Sequence, residues 1–372
     1  MLRAADHPHP RGHPVLKPLA TIGILGGGQL GRMLAMAAAR LGLRCHIYSP
    51  EANSCAFDVA HATTVARYDD AAALARFAAS VDVVTYEFEN VPARTAAILA
   101  TQHKVFPDPA VLAKTQDRLI EKQFVTSLGI ATAPFAPVGT AEEAEAAVRQ
   151  IGRPAVLKTR RLGYDGKGQV KIGPDDDIAA AWTELGKAEC ILEGFVPFER
   201  EVSVIAARAQ DGTVSCFDVT ENEHRNHILY RSSVPANISP ALATAAIDIA
   251  GRIASAFDYV GVLAVEMFVR PKNNGTEVLL VNEIAPRVHN SGHWTIDGAS
   301  VSQFEQHIRA VAGWPLGVPV RHGRVEMTNL IGAEAADLGD WLTEPGTCLH
   351  LYGKANPRPG RKMGHITRIF HD

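Results

Sequence analysis

No stretch of this 372-residue chain approaches the ~18 consecutive apolar residues that a membrane-crossing helix needs, and its first residues lack the apolar core of a secretory signal. No membrane partner is expected, and the expected location is the cytoplasm. The five cysteines, at 45, 55, 190, 216 and 348, form no CxxC and no Cys/His spacing that builds a zinc site or a disulfide framework. Reduced thiols follow. Long basic runs are missing too, and a net charge of -3 argues against a nucleic-acid binder. The order GxxxxGK[ST] does not occur, which excludes a Walker A grip on a nucleotide. What is there is the composition of an ordinary globular protein, 47% hydrophobic and 21% charged, with length for two or three domains, each with its own core.

The most informative stretch is 262–295. Residues 262–269 (VLAVEMFV) and 277–284 (EVLLVNEI) are β-branched and aliphatic, and Asn274-Gly275 between them marks a turn, which predicts an antiparallel hairpin. Inside it stand Glu266 and the pair Asn282-Glu283. A carboxylate among apolar residues is costly to bury unless a cation or hydrogen bonds compensate. With Glu266 opposite Glu283, the period-2 alternation puts both on one face. Two carboxylates and an amide oxygen on a rigid sheet suit magnesium, which shares its other positions with nucleotide phosphates and water. The alternative is a half-exposed strand with its glutamates in solvent.

The chain opens with residues 1–18, rich in His and Pro, which read as a disordered tail rather than a metal site. A strand at 22–25 leads into Gly26, Gly28 and Gly31, spaced G-x-G-x-x-G, and an Ala-rich helix through Arg40. With a strand at 44–48 and Glu51 beyond it, this outlines a dinucleotide fingerprint; the same glycines also let a helix N-terminus approach any anion, such as a mononucleotide phosphate. A strand at 81–86 ends in Glu87-Phe88-Glu89-Asn90, which places Glu87 at the carboxyl end of a parallel strand, where open sheets bind ligands. A helix of mixed character follows over 114–128, then a linker-like passage with Pro134 and Pro137, then an amphipathic helix over 142–151.

Residues 153–172 (RPAVLKTRRLGYDGKGQVKI) read as a strand at 155–158, a glycine loop and a strand at 169–172. Gly163, Gly166 and Gly168 bare backbone N–H groups that can wrap phosphate oxygens, and Lys158 closes the first strand as a point charge. A strand at 189–193 runs into Gly194, Phe195 and Val196, so residues 193–196 suit the edge of an adenine, with Glu201 placed for a ribose. His224 lies in a polar run over 218–227, as a functional donor or a surface histidine. The helix over 241–257 is expected to bury Ile247, Ile249, Ala250, Ile253, Ala254 and Phe257. Arg287, His289 and Asn290 bring three kinds of hydrogen-bond donor beside the proposed metal, which a small planar anion such as bicarbonate needs. After a helix over 302–312 come short strands at 324–330 and 347–352, then a Pro/Gly turn with Arg358, Arg361 and Lys362, either a phosphate clamp or an exposed basic loop.

Taken together, GGGQLGRM (26–33), YEFENV (86–91), QDRLIEK (116–122), KTRRLGYDGKGQ (158–169), EGFVPFEREVS (193–203), the Glu266 and Asn282-Glu283 set, APRVHNSGHWT (285–295) and GRKMGH (360–365) resemble the N5-carboxyaminoimidazole ribonucleotide synthetases of the ATP-grasp superfamily. The resemblance covers 21–370. It implies an α/β, ATP-grasp fold: a tail at 1–20, a Rossmann-like domain at 21–118, an ATP-grasp domain at 119–315 with a mobile lid over about 132–188, and a small β-rich part at 316–372. It implies carboxylation of 5-aminoimidazole ribonucleotide with bicarbonate and ATP in purine biosynthesis, with magnesium, in a homodimer. The matching positions for ATP are Arg118, Lys158, Gly163, Tyr164, Asp165, Gly166, Lys167, Gly168, Gln169, Glu193, Gly194, Phe195, Val196, Glu201, His224, Asn282 and Glu283, and for the metal Glu266 and Glu283. Gly28, Gln29, Leu30, Tyr164, Lys167, Arg361 and Lys362 match the ribonucleotide site, while Glu87, Arg287, His289, Asn290 and Lys362 surround the reacting groups. Lys167 departs from the arginine common there and gives up a bidentate contact. The rival readings are another ATP-grasp ligase, such as a formate-using glycinamide ribonucleotide transformylase, a NAD-binding oxidoreductase, and a non-catalytic nucleotide-binding regulator.

Overall fold

The computed structural model describes residues 15–163, 166–271, 275–336 and 338–370. Tyr164, Asp165, Asn274 and most of the His/Pro tail lie outside the described residues. No described helix is long and apolar enough to cross a membrane.

Three sheets carry the chain. The first is parallel, in the order β3-β2-β1-β4, from β1 (Thr21–Leu25), β2 (Arg44–Ser49), β3 (Ala62–Val65) and β4 (Val83–Tyr86). Strands β1, β2 and β4 are almost wholly buried, only the edge strand β3 exposing alternate residues, and the helix Gln29–Arg40 packs Met33, Leu34 and Ala38 into one core with Ile22, Ile24 and Ile47.

The second sheet is antiparallel, in the order β5-β8-β6-β7, from β5 (Phe135–Val138), β6 (Ala155–Thr159), β7 (Gln169–Ile172) and β8 (Cys190–Gly194). The helix Ala141–Ile151 seals it with Ala144, Ala147 and Val148. Since β8 lies between β5 and β6, this layer extends to Gly194. The passage expected to be a linker is the edge strand β5, where Pro137 costs no ladder hydrogen bond.

The third sheet has nine strands, in the order β14-β13-β9-β11-β12-β15-β17-β16 with β10 on β9. They are β9 (Arg200–Arg208), β10 (Val214–Cys216), β11 (Thr220–Arg225), β12 (Ile228–Val234), β13 (Gly261–Pro271), β14 (Glu277–Ala285), β15 (Arg324–Ile331), β16 (Thr347–Leu351) and β17 (Lys362–Phe370). The C-terminal strands therefore continue the large sheet instead of forming one of their own. Lys362 opens β17, so the expected Pro/Gly turn ends one residue before it. In the β13–β14 hairpin Glu266 pairs with Glu283, as the alternation predicts, with a bulge directly after Glu266.

Two helices differ from expectation. The mixed helix over 114–128 is two, Pro109–Thr115 and Arg118–Ser127, because Asp117 accepts from Leu119 N and Ile120 N as an N-cap. The helix Pro240–Ala256 buries Ala246, Ala250, Ile253 and Ala254, and this rotation leaves Ile247 exposed. First and third sheets are joined by buried His307 on the helix Gln303–Val311. Its Nδ1 accepts from Val262 N at 3.1 Å, so Nε2–H donates to Thr85 Oγ1 at 2.8 Å.

Candidate active site

The glycine turn after β1 is already filled. Gly26 takes φ +110°, which lets the chain reverse into the helix, and the N–H groups of Gly28 and Gly31 donate to the two carboxylate oxygens of Glu87. A Cβ at Gly26 would stand 2.4 Å from Glu87 Cγ. The anion at this helix N-terminus is thus the protein's own side chain. Burial raises the Glu87 pKa, opposed by those two hydrogen bonds and by Lys354. Glu51, the would-be ribose contact of a dinucleotide site, is exposed.

The second glycine loop is set among cations. Arg118, at the start of its helix, donates through Nη1 to Glu283 Oε2 at 3.1 Å and through Nη2 to Gly163 O at 3.1 Å, tying the loop to the hairpin. One turn on, Lys122 lies 3.3 Å from Glu193 Oε2, and Lys158 reaches the same oxygen at 3.1 Å from β6. Burial would raise the Glu193 carboxyl, but Lys122, Lys158 and Arg118 outweigh it and hold the pKa at about 2. Desolvation lowers the Lys158 pKa against the pull of Glu193. Gly166 and Gly168 both have positive φ, and Thr159 N donates to Gly168 O at 2.8 Å.

Past β8, Gly194 N and Phe195 N bond to Pro134 O and Pro154 O, so these two groups are committed to the fold. Glu201 Oε2 and His224 Nδ1 lie 2.8 Å apart, and although burial opposes it, Glu201 raises the His224 pKa.

At the hairpin, His289 Nε2 lies 2.9 Å from Glu266 Oε1. Burial opposes ionisation of Glu266, yet the hydrogen bond and charge of His289, with His224 and Arg287 nearby, bring its pKa to about 2. Glu266 thus faces His289 and Glu283 faces Arg118, and this oxygen donor set on paired strands fits a hard divalent ion.

Arg287 and Asn290 are not the open donors expected from the sequence. Arg287 grips Glu89 with Nε and Nη2, the latter at 2.7 Å, joining the loop after β4 to the hairpin. Asn290 and Asn329 exchange amide hydrogen bonds of 3.0 and 2.8 Å, and both are buried.

Near Gln29, Lys354 Nζ donates to Gln29 Oε1 and, at 2.8 Å, to Lys362 O. Burial and the charges of Arg361 and Lys362 lower its pKa to about 8, against the pull of Cys55 and Glu87. Arg361 reaches back to Ala355 O at 2.6 Å. Sequence reasoning missed Lys122, Lys354 and Glu89 as individual site residues. Lys122 was findable, four positions after Arg118 on one helical face.

Three family models match the chain: a ribonucleotide synthetase preATP-grasp domain over 19–116, an ATP-grasp domain over 123–304 and a phosphoribosylaminoimidazole carboxylase C-terminal domain over 326–372. The N5-carboxyaminoimidazole ribonucleotide synthase of Brucella melitensis is 54% identical across 95% of this chain and 97% of its own. The crystal structure of the corresponding synthetase from Thermus thermophilus is 46% identical, with a TM-score of 0.87 over 94% of this chain and 93% of that one. The synthase of Aspergillus clavatus, solved in complex with ADP and 5-aminoimidazole ribonucleotide, is 30% identical with a TM-score of 0.87 over 95% and 94%.

Proposed function

The chain belongs to the N5-carboxyaminoimidazole ribonucleotide synthase family of ATP-grasp ligases, and from that premise we propose how its residues divide the work. The reaction is the ATP-dependent carboxylation of 5-aminoimidazole ribonucleotide in purine synthesis, with ATP as co-substrate.

The observation that carries the division of labour is the gathering of Arg118, Lys122 and Lys158 about Glu193 and Glu283, with Arg118 also bonded to the glycine loop, beside the Glu266 and Glu283 pair. In our reading the loop and these cations hold the phosphates, residues 193–196 hold the adenine, and Glu201 with His224 faces the ribose. A bicarbonate oxygen attacks the γ-phosphorus and ADP leaves. The resulting carboxyphosphate splits into carbon dioxide and phosphate, and the substrate amine takes up the carbon and loses a proton. His289 orients the anion, Arg287 keeps its positive charge nearby while bound to Glu89, and Lys158 balances charge at the transferring group. Glu266, Glu283 and Asn282 would hold magnesium, which supplies neutralising charge on the phosphates. Gln29, Lys354, Arg361 and Lys362 form the ribonucleotide end. Asn290 acts through its pairing with Asn329, and Glu87 shapes the turn that presents Gln29. A closing lid excludes water from the labile intermediate. The domain limits 21–118, 119–315 and 316–372, a homodimer and a cytoplasmic location belong to the same reading.

The test is phosphate release from ATP with magnesium, with and without ribonucleotide and labelled bicarbonate. Release stimulated by the ribonucleotide, with label in the product, supports the reading. ATP binding without such stimulation would overturn the choice of acceptor.

A further inference from the structure

Behind His289 runs a line of buried hydroxyl and amide groups that crosses the large sheet strand by strand. Ser232 on β12 bonds through Oγ to Asn222 Oδ1 at 2.8 Å, and Asn222 Nδ2 on β11 donates to Ser203 Oγ at 2.9 Å. Ser203 on β9, opposite Glu266 in the register, lies 2.7 Å from Ser291 Oγ, which lies 2.9 Å from His289 Nδ1. Ser203, Ser232 and Ser291 are fully buried and Asn222 nearly so.

One donor in this line has a fixed direction. The backbone N–H of Ser291 points at His289 Nδ1, 3.3 Å away, so Nδ1 carries a lone pair and the ring proton sits on Nε2, toward Glu266. Every other group is then determined by donor and acceptor counting. Ser291 Oγ–H must donate to Nδ1, so it must accept from Ser203. Ser203 then accepts from the Asn222 amide, whose oxygen takes the proton of Ser232. The chain is satisfied in one direction only. Its central amide cannot pass a proton along, so this is no proton wire. Gln303 clamps the backbone of the same residue, accepting from His289 N at 2.9 Å and donating to His289 O at 2.6 Å.

We infer that Ser291, Ser203, Asn222 and Ser232 are positioning residues that hold His289 in its Nε2–H tautomer, so that the ring always presents its one N–H on the side of Glu266. None of them touches the reacting atoms. The inference extends the reading of His289 above, but its main readout does not depend on activity.

The test uses full-length enzyme with 15N-labelled histidine, and the His289 signals are assigned by their absence in His289→Asn. Wild type gives the Nε2–H signature. Asn222→Asp keeps the shape but turns the donating amide into an acceptor, which reverses Ser203 and Ser291. The expected result is a shift toward Nδ1–H and a fall in kcat of about tenfold, with KM for ATP within about twofold. Ser203→Ala, which releases Ser291 without burying a charge, gives a mixture of tautomers and a smaller loss. Unchanged tautomer signals in both variants would overturn the inference, whatever happens to kcat. A tautomer shift with unchanged kcat would uphold the hold on the ring and count against the part given to His289 in the reaction.

Discussion

The glycine turn after β1 and the glycine loop after β6 both follow a strand, and both use the positive φ of glycine, at Gly26 in the first and at Gly166 and Gly168 in the second. In the first, Gly28 and Gly31 spend their N–H groups on Glu87, which arrives from the end of β4, 59 and 56 residues away. In the second, the neighbours are Arg118, Lys122 and Lys158, grouped about Glu193 and Glu283. One turn contains its anion, and the other has Arg118, Lys122 and Lys158 grouped near it with Glu193 and Glu283. A glycine pattern specifies a cradle; what fills it is decided by residues brought from elsewhere in the fold.

The largest effect should come from the carboxylate that holds the second region together. Glu193→Gln leaves Lys122 and Lys158 buried without their shared counter-charge and should cost about 3–5 kcal/mol in denaturant unfolding. Because the folded-state pKa of Glu193 is depressed to about 2, its contribution is fully present above the unfolded value of roughly 4.3 and fades as pH falls from there toward 2. Acid unfolding of wild type should therefore steepen in that window, and the variant should show the shallower curve. Equal curves would mean that the two lysines find another partner.

Next is Lys158→Met, which keeps the stem and removes the charge. Glu193 retains Lys122, so the fold should survive, while kcat/KM for ATP falls by at least about 100-fold, the scale for one preorganised charge at a reacting group. Gly26→Ala should do the reverse. A methyl 2.4 Å from Glu87 Cγ at φ +110° should destabilise by about 2 kcal/mol and leave KM for ATP within about twofold. An ATP effect from Gly26, or none from Lys158, would exchange the two roles.

The second region was the more legible in the sequence because its cues are local. Lys158, the three glycines and the strands on either side all lie within residues 155–172, and β7 covers the expected residues 169–172. The Glu266–Glu283 register also followed from alternation, since a slip by one residue would have turned a whole strand over. Glu87 was placed at the correct end of its strand, but no periodicity tells that its side chain folds back under Gly28. The Arg287–Glu89 clasp was hidden for the same reason, with 198 residues between its partners. By contrast, the break at Asp117 was readable: an aspartate three residues before Ile120 is an N-cap signal, outweighed by the apolar pattern on both sides. Ile247 failed because an alanine-rich face, centred on Ala246 and Ala250, lets the helix lie closer to the sheet than a wide apolar stripe would.

The smallest expected effect separates the two uses of Glu87. Its carboxylate satisfies two N–H groups at once, whereas the glutamine of Glu87→Gln offers one acceptor oxygen and one NH2 that faces a donor. One N–H loses its partner, at a cost of about 1–2 kcal/mol. Burial raises the folded-state pKa of Glu87, so the folded protein binds its proton more tightly than the unfolded chain does. The contribution of this carboxyl is then largest at low pH and declines as pH rises from roughly 4.3 through the raised value. The stability gap between wild type and Glu87→Gln should narrow over that same range, as chemical unfolding at several pH values would show. If Glu87 only fills its turn, KM for the ribonucleotide stays within about threefold. A rise beyond that, with the stability gap unchanged, would mean that the carboxylate leaves the turn to meet substrate, and the first glycine region would then be a ligand site as much as the second.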